Sequence, residues 1–303
     1  MITTTPLFLL SLTLLHCTQS SESASNGGTT TGTPAPPLTR PQIGEIRGYD
    51  FSAGKKSVQI VELPKKLSEA SGLAFTHDGR LLAHNDESAI IFEIDYRTGS
   101  EVKRFYVGRP RLTGDFEGIA VKQDTVFLVS SNGVLYRFSE GKKDAYVSYD
   151  FFRTSLSARQ DVEGLAYDPD TDCLLLACKG DPGAGLDKNT KAVYAFSLKT
   201  YKLDPKPRFL LSVETIIAST GAKEFNPSAI ERHATSGNFF VLAYNGFAIV
   251  EIDPSGKIIG ISDVKKSVNK QPEGLAITAD GTIIIANEGQ KKRGKLAIYP
   301  PQN

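Results

Sequence analysis

The chain has 303 residues, of which 40% are hydrophobic, and its 35 Lys and Arg nearly balance its 34 Asp and Glu. This composition is typical of a folded globular protein, and the lack of a concentrated basic block argues against nucleic acid as a partner. The 27 Gly and 16 Pro, together with short runs of Val, Ile, Leu, Phe and Tyr, favour strands joined by turns over long helices.

The N-terminal segment differs in composition from the rest of the chain. Residues 1–42 contain two charged side chains, Glu22 and Arg40, and residues 7–15 form an apolar run (LFLLSLTLL). A run of this length is typical of a signal-peptide core and is shorter than the roughly 20 residues of a membrane-spanning helix, although the preceding MITTTP lacks the usual basic residues. We therefore predict a signal peptide over residues 1–17 and a location outside the cytoplasm.

Cys17 directly follows the apolar run and resembles the lipid-attachment cysteine of bacterial lipoproteins, although His16 stands where a small residue is expected. Lipidation would hold the protein on a membrane of the bacterial cell envelope, for example in the periplasm. If Cys17 is instead an incidental residue of a cleaved signal, the protein is secreted. Residues 18–42 are rich in Ser, Thr, Gly and Pro and predict a flexible tether, which leaves 43–303 as the folded domain.

Five similar segments recur along this domain. They are EASGLAF (69–75), DFEGIAV (115–121), DVEGLAY (161–167), NPSAIER (226–232) and QPEGLAI (271–277). Aligned on Gly72, Gly118, Gly164, Ser228 and Gly274, they are separated by 46, 46, 64 and 46 residues, so that one unit carries 18 extra residues. Internal repeats of this length indicate a repeat architecture.

Each unit continues with three further predicted strands. Second strands follow hairpin turns such as Asp78-Gly79, third strands begin near 89, 134, 192, 247 and 295, and fourth strands begin near 101, 144, 207 and 257. The last unit lacks a fourth strand, which the segment 56–63 (KSVQIVEL) can supply. The pattern predicts an all-β fold, a β-propeller of five four-stranded blades closed by this N-terminal strand. Six shorter blades remain an alternative, because residues 43–55 are unassigned.

The extra residues are predicted to lie in two loops, 179–191 and 213–225, at one face of the ring. Cys173 and Cys178 are five residues apart on a predicted strand, so that their side chains point to opposite faces. Their separation of about 16 Å is too long for a mutual disulfide, and we expect two buried thiols.

The repeated ASGLA, FEGIA, VEGLA and PEGLA segments, with NDE and NEG at the ends of second strands, resemble the SdiA-regulated family of exported bacterial β-propeller proteins. The resemblance covers residues 43–303 and implies a propeller outside the cytoplasm with no firmly assigned reaction. The EGLA unit is also similar to motifs of esterase-like phytase and other calcium-dependent propellers. The motif is therefore specific for the architecture and much less so for one activity.

In a propeller blade the first strand lies nearest the axis and the second runs antiparallel to it, so that the start of the first and the end of the second share one mouth of the channel. The residues placed there are Glu69, Ser71, Glu117, Glu163, Pro227 and Glu273 on first strands, and Asn85, Asp86, Asn132, Lys179, Asn245, Asn287 and Glu288 on second strands. Carboxylate and amide oxygens suit calcium, and Glu117, Glu163 and Glu273 are the predicted metal ligands.

A structural role is the alternative for the same residues. A Glu before Gly can accept hydrogen bonds from backbone N–H groups, and an Asn at a strand end can close a turn. Lys179 replaces the amide in the third unit, and Asn226-Pro227 replaces the acidic pair in the fourth, so that one sector of the predicted ring is less acidic.

Three functions are compatible with this pattern. The first is binding of a small molecule, glycan or protein at the channel mouth, with calcium as a possible cofactor. The second is calcium-dependent hydrolysis of phosphoesters or lactones, with Lys179 or the cluster at 291–293 holding an anion. The third is a protein-interaction scaffold. The chain lacks the G-x-S-x-G, H-E-x-x-H and paired C-x-x-C motifs, so no catalytic residue is predicted.

Overall fold

Five antiparallel sheets follow one another along the chain as the blades of a β-propeller. The computed structural model describes residues 43–302. The predicted signal peptide, Cys17 and the tether lie outside the described residues. Within 43–302, no helix has the length and hydropathy that a membrane span requires.

The chain enters the ring through strand β1 and then builds the first two blades. These strands are β1 (Gln59–Glu62), β2 (Ala70–Phe75), β3 (Leu81–Asn85), β4 (Ile90–Asp95), β5 (Ser100–Val107), β6 (Phe116–Lys122), β7 (Thr125–Ser130), β8 (Leu135–Ser139), β9 (Tyr146–Val147) and β10 (Asp150–Phe152). A 3-10 helix, Lys65–Leu67, separates β1 from β2. Blade 1 contains β2 to β5, and blade 2 contains β6, β7, β8 and β10.

Blades 3, 4 and 5 follow in the same order. Their elements are β11 (Val162–Asp168), β12 (Cys173–Cys178), β13 (Thr190–Ser197), β14 (Lys202–Leu203), β15 (Phe209–Ser212), α1 (Val213–Thr220), β16 (Asn226–Arg232), β17 (Phe239–Asn245), β18 (Ala248–Ile252), β19 (Ile258–Asp263), β20 (Pro272–Ile277), β21 (Ile283–Asn287) and β22 (Lys295–Tyr299). Blade 3 contains β11 to β15, blade 4 contains β16 to β19, and blade 5 contains β20 to β22 with β1.

The ring is closed as the sequence predicts. β1 pairs antiparallel with β22, from Gln59 opposite Ile298 to Glu62 opposite Lys295, and supplies the fourth strand of blade 5. The first strands β2, β6, β11, β16 and β20 each contact the first strands of both neighbouring blades, including β20 with β2. The five-bladed prediction is therefore confirmed and the six-bladed alternative is wrong.

The hydrophobic core lies between the blades. Five clusters of buried side chains each join residues of two adjacent blades, so that every blade interface is filled. Fully buried aromatic rings such as Phe92, Phe105 and Phe239 contribute to these clusters. Each such side chain stabilises the fold by roughly 1.5–3 kcal/mol relative to an exposed one. Cys173 and Cys178 are buried and unpaired, as expected.

Two local predictions need correction. The segment 144–151 is not one fourth strand, because β9 pairs in parallel with β5 of blade 1 whereas β10 pairs with β8 of blade 2. The segment 213–225 is not simply a loop, because Val213–Thr220 form a helix. The Ser212 hydroxyl accepts a hydrogen bond from the Thr215 backbone N–H, and Gly221 ends the helix in the left-handed conformation, as helix caps require.

The repeated glycines allow the first strands to approach one another at the axis. A Cβ atom on Gly118 would lie 2.7 Å from the backbone nitrogen of Leu165, and one on Gly164 would lie 2.8 Å from the backbone nitrogen of Ile230. Both contacts are to the next blade and are shorter than a side chain tolerates. The glycines are therefore required by packing between blades.

Candidate functional site

The acidic positions of the repeat are produced by β-bulges. In every blade the pairing of the first and second strands shifts register at the channel mouth, and one residue of the first strand is left without a partner. The five bulged residues are Ser71, Glu117, Glu163, Ser228 and Glu273. A bulge turns the side chain of its extra residue out of the regular alternation. The same device thus aims one polar side chain from each blade at the mouth.

The bulges also correct the alignment of the fourth unit. Ser228, not Pro227, occupies the position of the glutamates, and Ala229 occupies the position of the glycines. The intervals between equivalent positions are therefore 46, 46, 65 and 45 residues. Ser228 is buried and donates a hydrogen bond of 2.7 Å to the Pro272 carbonyl oxygen of blade 5.

The three bulged glutamates, Glu117, Glu163 and Glu273, influence one another electrostatically. We use the name acidic mouth for these three residues together with the neighbouring carboxylates Glu69, Asp86 and Glu288. Burial raises the pKa of Glu117 to about 9, with contributions from Glu163 and Glu273. Burial likewise raises the pKa of Glu273 to about 8, with contributions from Glu163 and Glu288. Because these residues belong to blades 2, 3 and 5, their mutual influence shows that they converge across the ring.

Further carboxylates extend the acidic mouth on the side of blades 5 and 1. Burial raises the pKa of Glu288 to about 7, and the charges of Asp86 and Glu69 add to the shift. The pKa of Asp86 and that of Glu69 are also raised, mainly by burial. The Gln271 side-chain amide donates a hydrogen bond to Glu288, and Gln271 also acts to lower the pKa of Glu273.

Lys179 is the basic residue placed against this cluster. Its Nζ atom lies 2.5 Å from Glu163 Oε1 and 3.5 Å from Asp161 Oδ2. Burial acts to lower the pKa of Lys179, but the hydrogen bond to Glu163 and the surrounding carboxylates raise it. Burial raises the pKa of Glu163, which is 7% exposed, and Lys179 opposes that increase. Lys179 therefore compensates Glu163 while Glu117 and Glu273 keep raised pKa values.

The amide residues predicted at the mouth have separate roles. Asn85 donates a hydrogen bond of 2.6 Å to the Lys66 carbonyl oxygen, and buried Asn287 donates one of 3.0 Å to Asn269. Exposed Asn132 accepts hydrogen bonds from the Ser130 hydroxyl and the Val134 backbone N–H, so it closes a turn. Asn245 lies opposite Asn226 in blade 4 and lines a surface cavity of about 470 Å³.

The sequence comparison missed residues that lie two positions before the bulged residue. Asp115 and Asp161 influence the glutamates of their own blades, and Gln271 donates a hydrogen bond to Glu288. The signal was present in the repeat, because its first position is occupied by Glu69, Asp115, Asp161, Asn226 and Gln271. All five side chains are acids or amides.

The carboxylate and amide oxygens of the acidic mouth have the chemistry that calcium prefers. Within residues 43–302, however, no group of three or more His, Cys, Asp or Glu side chains has an arrangement that could hold a metal ion. Asp115 contributes to the raised pKa of Glu117, and Glu163 is paired with Lys179. The side chains as placed therefore do not form a ready calcium site.

His84 lies behind the mouth and not in it. The ring is fully buried, its Nδ1 atom is 2.9 Å from the Asn85 carbonyl oxygen, and its Nε2 atom is beside Gly72. Burial lowers the pKa of His84 to about 4, so the ring is neutral at physiological pH.

The five blades define the class of this protein as a β-propeller. No protein-family model and no curated protein matches the sequence. Among solved structures, glutaminyl cyclase of Myxococcus xanthus is similar, with a TM-score of 0.51 and 13% identity over 81% of this chain and 96% of that chain. The luciferin-regenerating enzyme has a TM-score of 0.52 and 9% identity over 80% of this chain and 95% of that chain.

Virginiamycin B lyase of Staphylococcus aureus is a further structural neighbour, with a TM-score of 0.44 and 14% identity over 82% of this chain and 71% of that chain. At such low identity these likenesses show the fold alone. The propeller class is supported, and the more specific resemblance to the SdiA-regulated family stays a prediction.

Proposed function

We propose that this β-propeller is a binding protein whose acidic mouth takes a positively charged group of a ligand or partner. The observation that carries the proposal is the set of carboxylates with raised pKa values, Glu117, Glu273 and Glu288, while Lys179 is paired with Glu163 and Asp161. The negative charges of carboxylates held close together repel one another when no cation is bound. A bound cation lowers their repulsion and is attracted by all of them.

The proposal places binding outside the cytoplasm, with the protein held on the membrane by a lipid on Cys17 or secreted. Calcium is one cation that the acidic mouth would take, and an organic cation on a small molecule, glycan or protein is the other. Since the carboxylates do not converge as a metal-binding group, calcium binding would require them to move. A scaffold function of the outer loops does not need the acidic mouth at all.

Hydrolysis of phosphoesters or lactones has less support. The lysine that this reaction would use to hold an anion, Lys179, is already paired with Glu163 and Asp161. An anionic substrate would also approach a mouth with several carboxylates, which repel it.

Calorimetric titration of the metal-stripped protein with calcium chloride, and separately with spermidine, tests the proposal at pH 8.5. We expect saturable binding of at least one of the two cations. In the double variant Glu117→Gln with Glu273→Gln, affinity for that cation should fall at least tenfold. Binding should also tighten as the pH rises from 7 to 9, because a cation competes with the protons that these two carboxyl groups hold.

The matched control is Glu45→Gln with Glu62→Gln, which removes the same number of carboxyl groups from exposed positions of the same domain. This control should bind like the natural protein. Equal loss in both double variants would mean that net charge alone governs binding. Absence of heat with both cations, or unchanged affinity in the mouth variant, contradicts the proposal.

A further inference from the structure

The opposite end of the channel has a different character. The first strands β2, β6, β11, β16 and β20 all end there, and together they line a cavity of about 210 Å³. Its wall includes Phe75, Val121, Tyr167, Pro169, Glu231 and Ile277. An adjoining cavity of about 380 Å³ shares Phe75, Val121, Tyr167 and Pro169, so that the two form one opening. We call this opening the apolar mouth.

Glu231 departs from the repeat at this mouth. The sixth position of the repeat is alanine in the other four blades, Ala74, Ala120, Ala166 and Ala276, and all four are buried. In blade 4 the same position carries a carboxylate that is partly exposed and borders the cavity. Replacing a small apolar side chain with a partly buried carboxylate is unfavourable for folding, because the charge loses part of its hydration.

The carboxylate of Glu231 has little compensation from the protein. Among the described residues its hydrogen bond comes from the Arg232 backbone N–H, at 2.8 Å to Oε1. Arg232 also lines the cavity and acts to lower the pKa of Glu231, but its guanidinium donates a hydrogen bond of 2.6 Å to Asp170 Oδ2 and lies 3.7 Å from Asp168 Oδ1. Burial raises the pKa of Glu231 to about 8. An ionised carboxylate accepts about four hydrogen bonds, so most of this capacity is open.

We propose that the apolar mouth is a second binding site, which takes a small organic amine with its ammonium group on Glu231 and its apolar body against Phe75, Val121 and Tyr167. A cation supplies the charge compensation that the protein does not. Phe75 and Tyr167 are partly exposed and line the opening, and aromatic side chains make favourable contacts with both the apolar and the charged part of such a ligand. A wall of apolar side chains with one placed polar group is the usual composition of a small-molecule site. This site is separate from the acidic mouth and does not depend on it.

Calorimetric titration with benzylamine at pH 8.5 tests this inference. Benzyl alcohol has the same ring and no charge, so it reports the contribution of the apolar wall alone. We expect benzylamine to bind the natural protein at least tenfold more tightly than benzyl alcohol. In Glu231→Ala, which restores the residue of the other four blades, that preference should disappear.

Glu231→Ala should melt at the same or a higher temperature than the natural protein, so that lost binding is not lost folding. If this variant fails to fold, Glu231→Gln keeps the shape of the side chain and allows the same comparison. Because the acidic mouth is also proposed to take organic cations, the same titrations are repeated in the double variant Glu117→Gln with Glu273→Gln. The preference for benzylamine over benzyl alcohol should persist in that variant and should be lost when Glu231→Ala is added to it. Equal affinity for the two probes, equal benzylamine affinity in the Glu231 variants, or no detectable binding at millimolar concentration would each overturn the inference.

Discussion

At the scale of single residues, the acidic mouth places charge where folding disfavours it. An ordinary glutamate has a pKa of about 4.3, so a group such as Glu117, whose pKa is raised to about 9, is protonated in the folded protein over a pH range in which it is ionised in the unfolded chain. The folded state therefore binds more protons in this range. By linkage, this group makes the protein less stable as the pH rises from about 5 to about 9.

Glu117→Gln should remove that dependence. At pH 5 the free energies of unfolding of the variant and the natural protein should be nearly equal, because both forms are then neutral at this position. At pH 9 the variant should be more stable by about 1–3 kcal/mol, as its amide has no charge to desolvate. Thermal or urea unfolding at pH 5, 7 and 9 provides the comparison. If the difference in free energy of unfolding between the variant and the natural protein is the same at pH 5, 7 and 9, then folding does not disfavour the charge of Glu117.

At the scale of the element, the geometry of the first strands explains how the polar residues reach the mouth. In each blade the first strand carries its polar residue on a bulge and its glycine, or Ala229, one position later. The bulge directs the side chain to the mouth, and the small residue lets the strand lie against the next blade. One local motif thus serves both the site and the ring.

Gly164→Ala should disturb the ring more than an ordinary surface change. The added Cβ would meet the backbone of Ala229 and Ile230, which cannot move aside as a flexible side chain can. We expect a loss of about 1–3 kcal/mol in the free energy of unfolding, as in other overpacked sites. Gly54→Ala is the matched control, since a Cβ at Gly54 meets nothing within 4 Å. Similar denaturation midpoints for both variants would contradict the packing role.

The sequence is sufficient to predict the strands that recur in every unit. It is insufficient for elements that occur in one unit only, such as β9 and α1. The strand at 56–63 was identified because the last unit lacked a partner, and β1 confirms it. The crossing of β9 to blade 1 was missed because DAYVSYDF has the alternation of a single strand. Helix α1 was missed because an insertion has no counterpart in other units with which to compare it. Ser212 and Gly221 were its signals, as N-cap and C-terminal glycine.

At the scale of the whole molecule, the channel has two chemically different ends. Carboxylates from blades 1, 2, 3 and 5 gather at one end, and apolar ends of the first strands gather at the other with Glu231. The sequence predicted the first end, because glutamate recurs in three units. It did not point to the second, since Glu231 is visible only as one departure from alanine. Comparison of the units identifies residues that recur, such as the glutamates, whereas only the structure shows that the single exception Glu231 borders a cavity.

Closure of the ring rests on the pairing of β1 with β22, so a covalent link there should stabilise the whole molecule. Glu62 and Lys295 are opposite one another in this pairing, and both are exposed. Cysteines at both positions should form a disulfide that raises the free energy of unfolding by about 2–4 kcal/mol, mainly by restricting the unfolded chain. Melting curves with and without reductant measure it. The variant Glu62→Cys alone is the control, and an unchanged melting temperature on reduction of the double variant would contradict the expectation.

Because the ring closes through this pairing, folding requires that the chain contains β22 as well as β1. β1 is synthesised before any of the blades, but its partner β22 begins only at Lys295, close to the end of the sequence. A truncated product that ends before this residue has four intact blades, an unfinished fifth and two unpaired strand edges, on β1 and on β21. Exposed edges of this kind recruit strands from other molecules. Chains that lack β22 should therefore be prone to aggregation and degradation, whereas a chain that contains it conceals both edges in a single pairing.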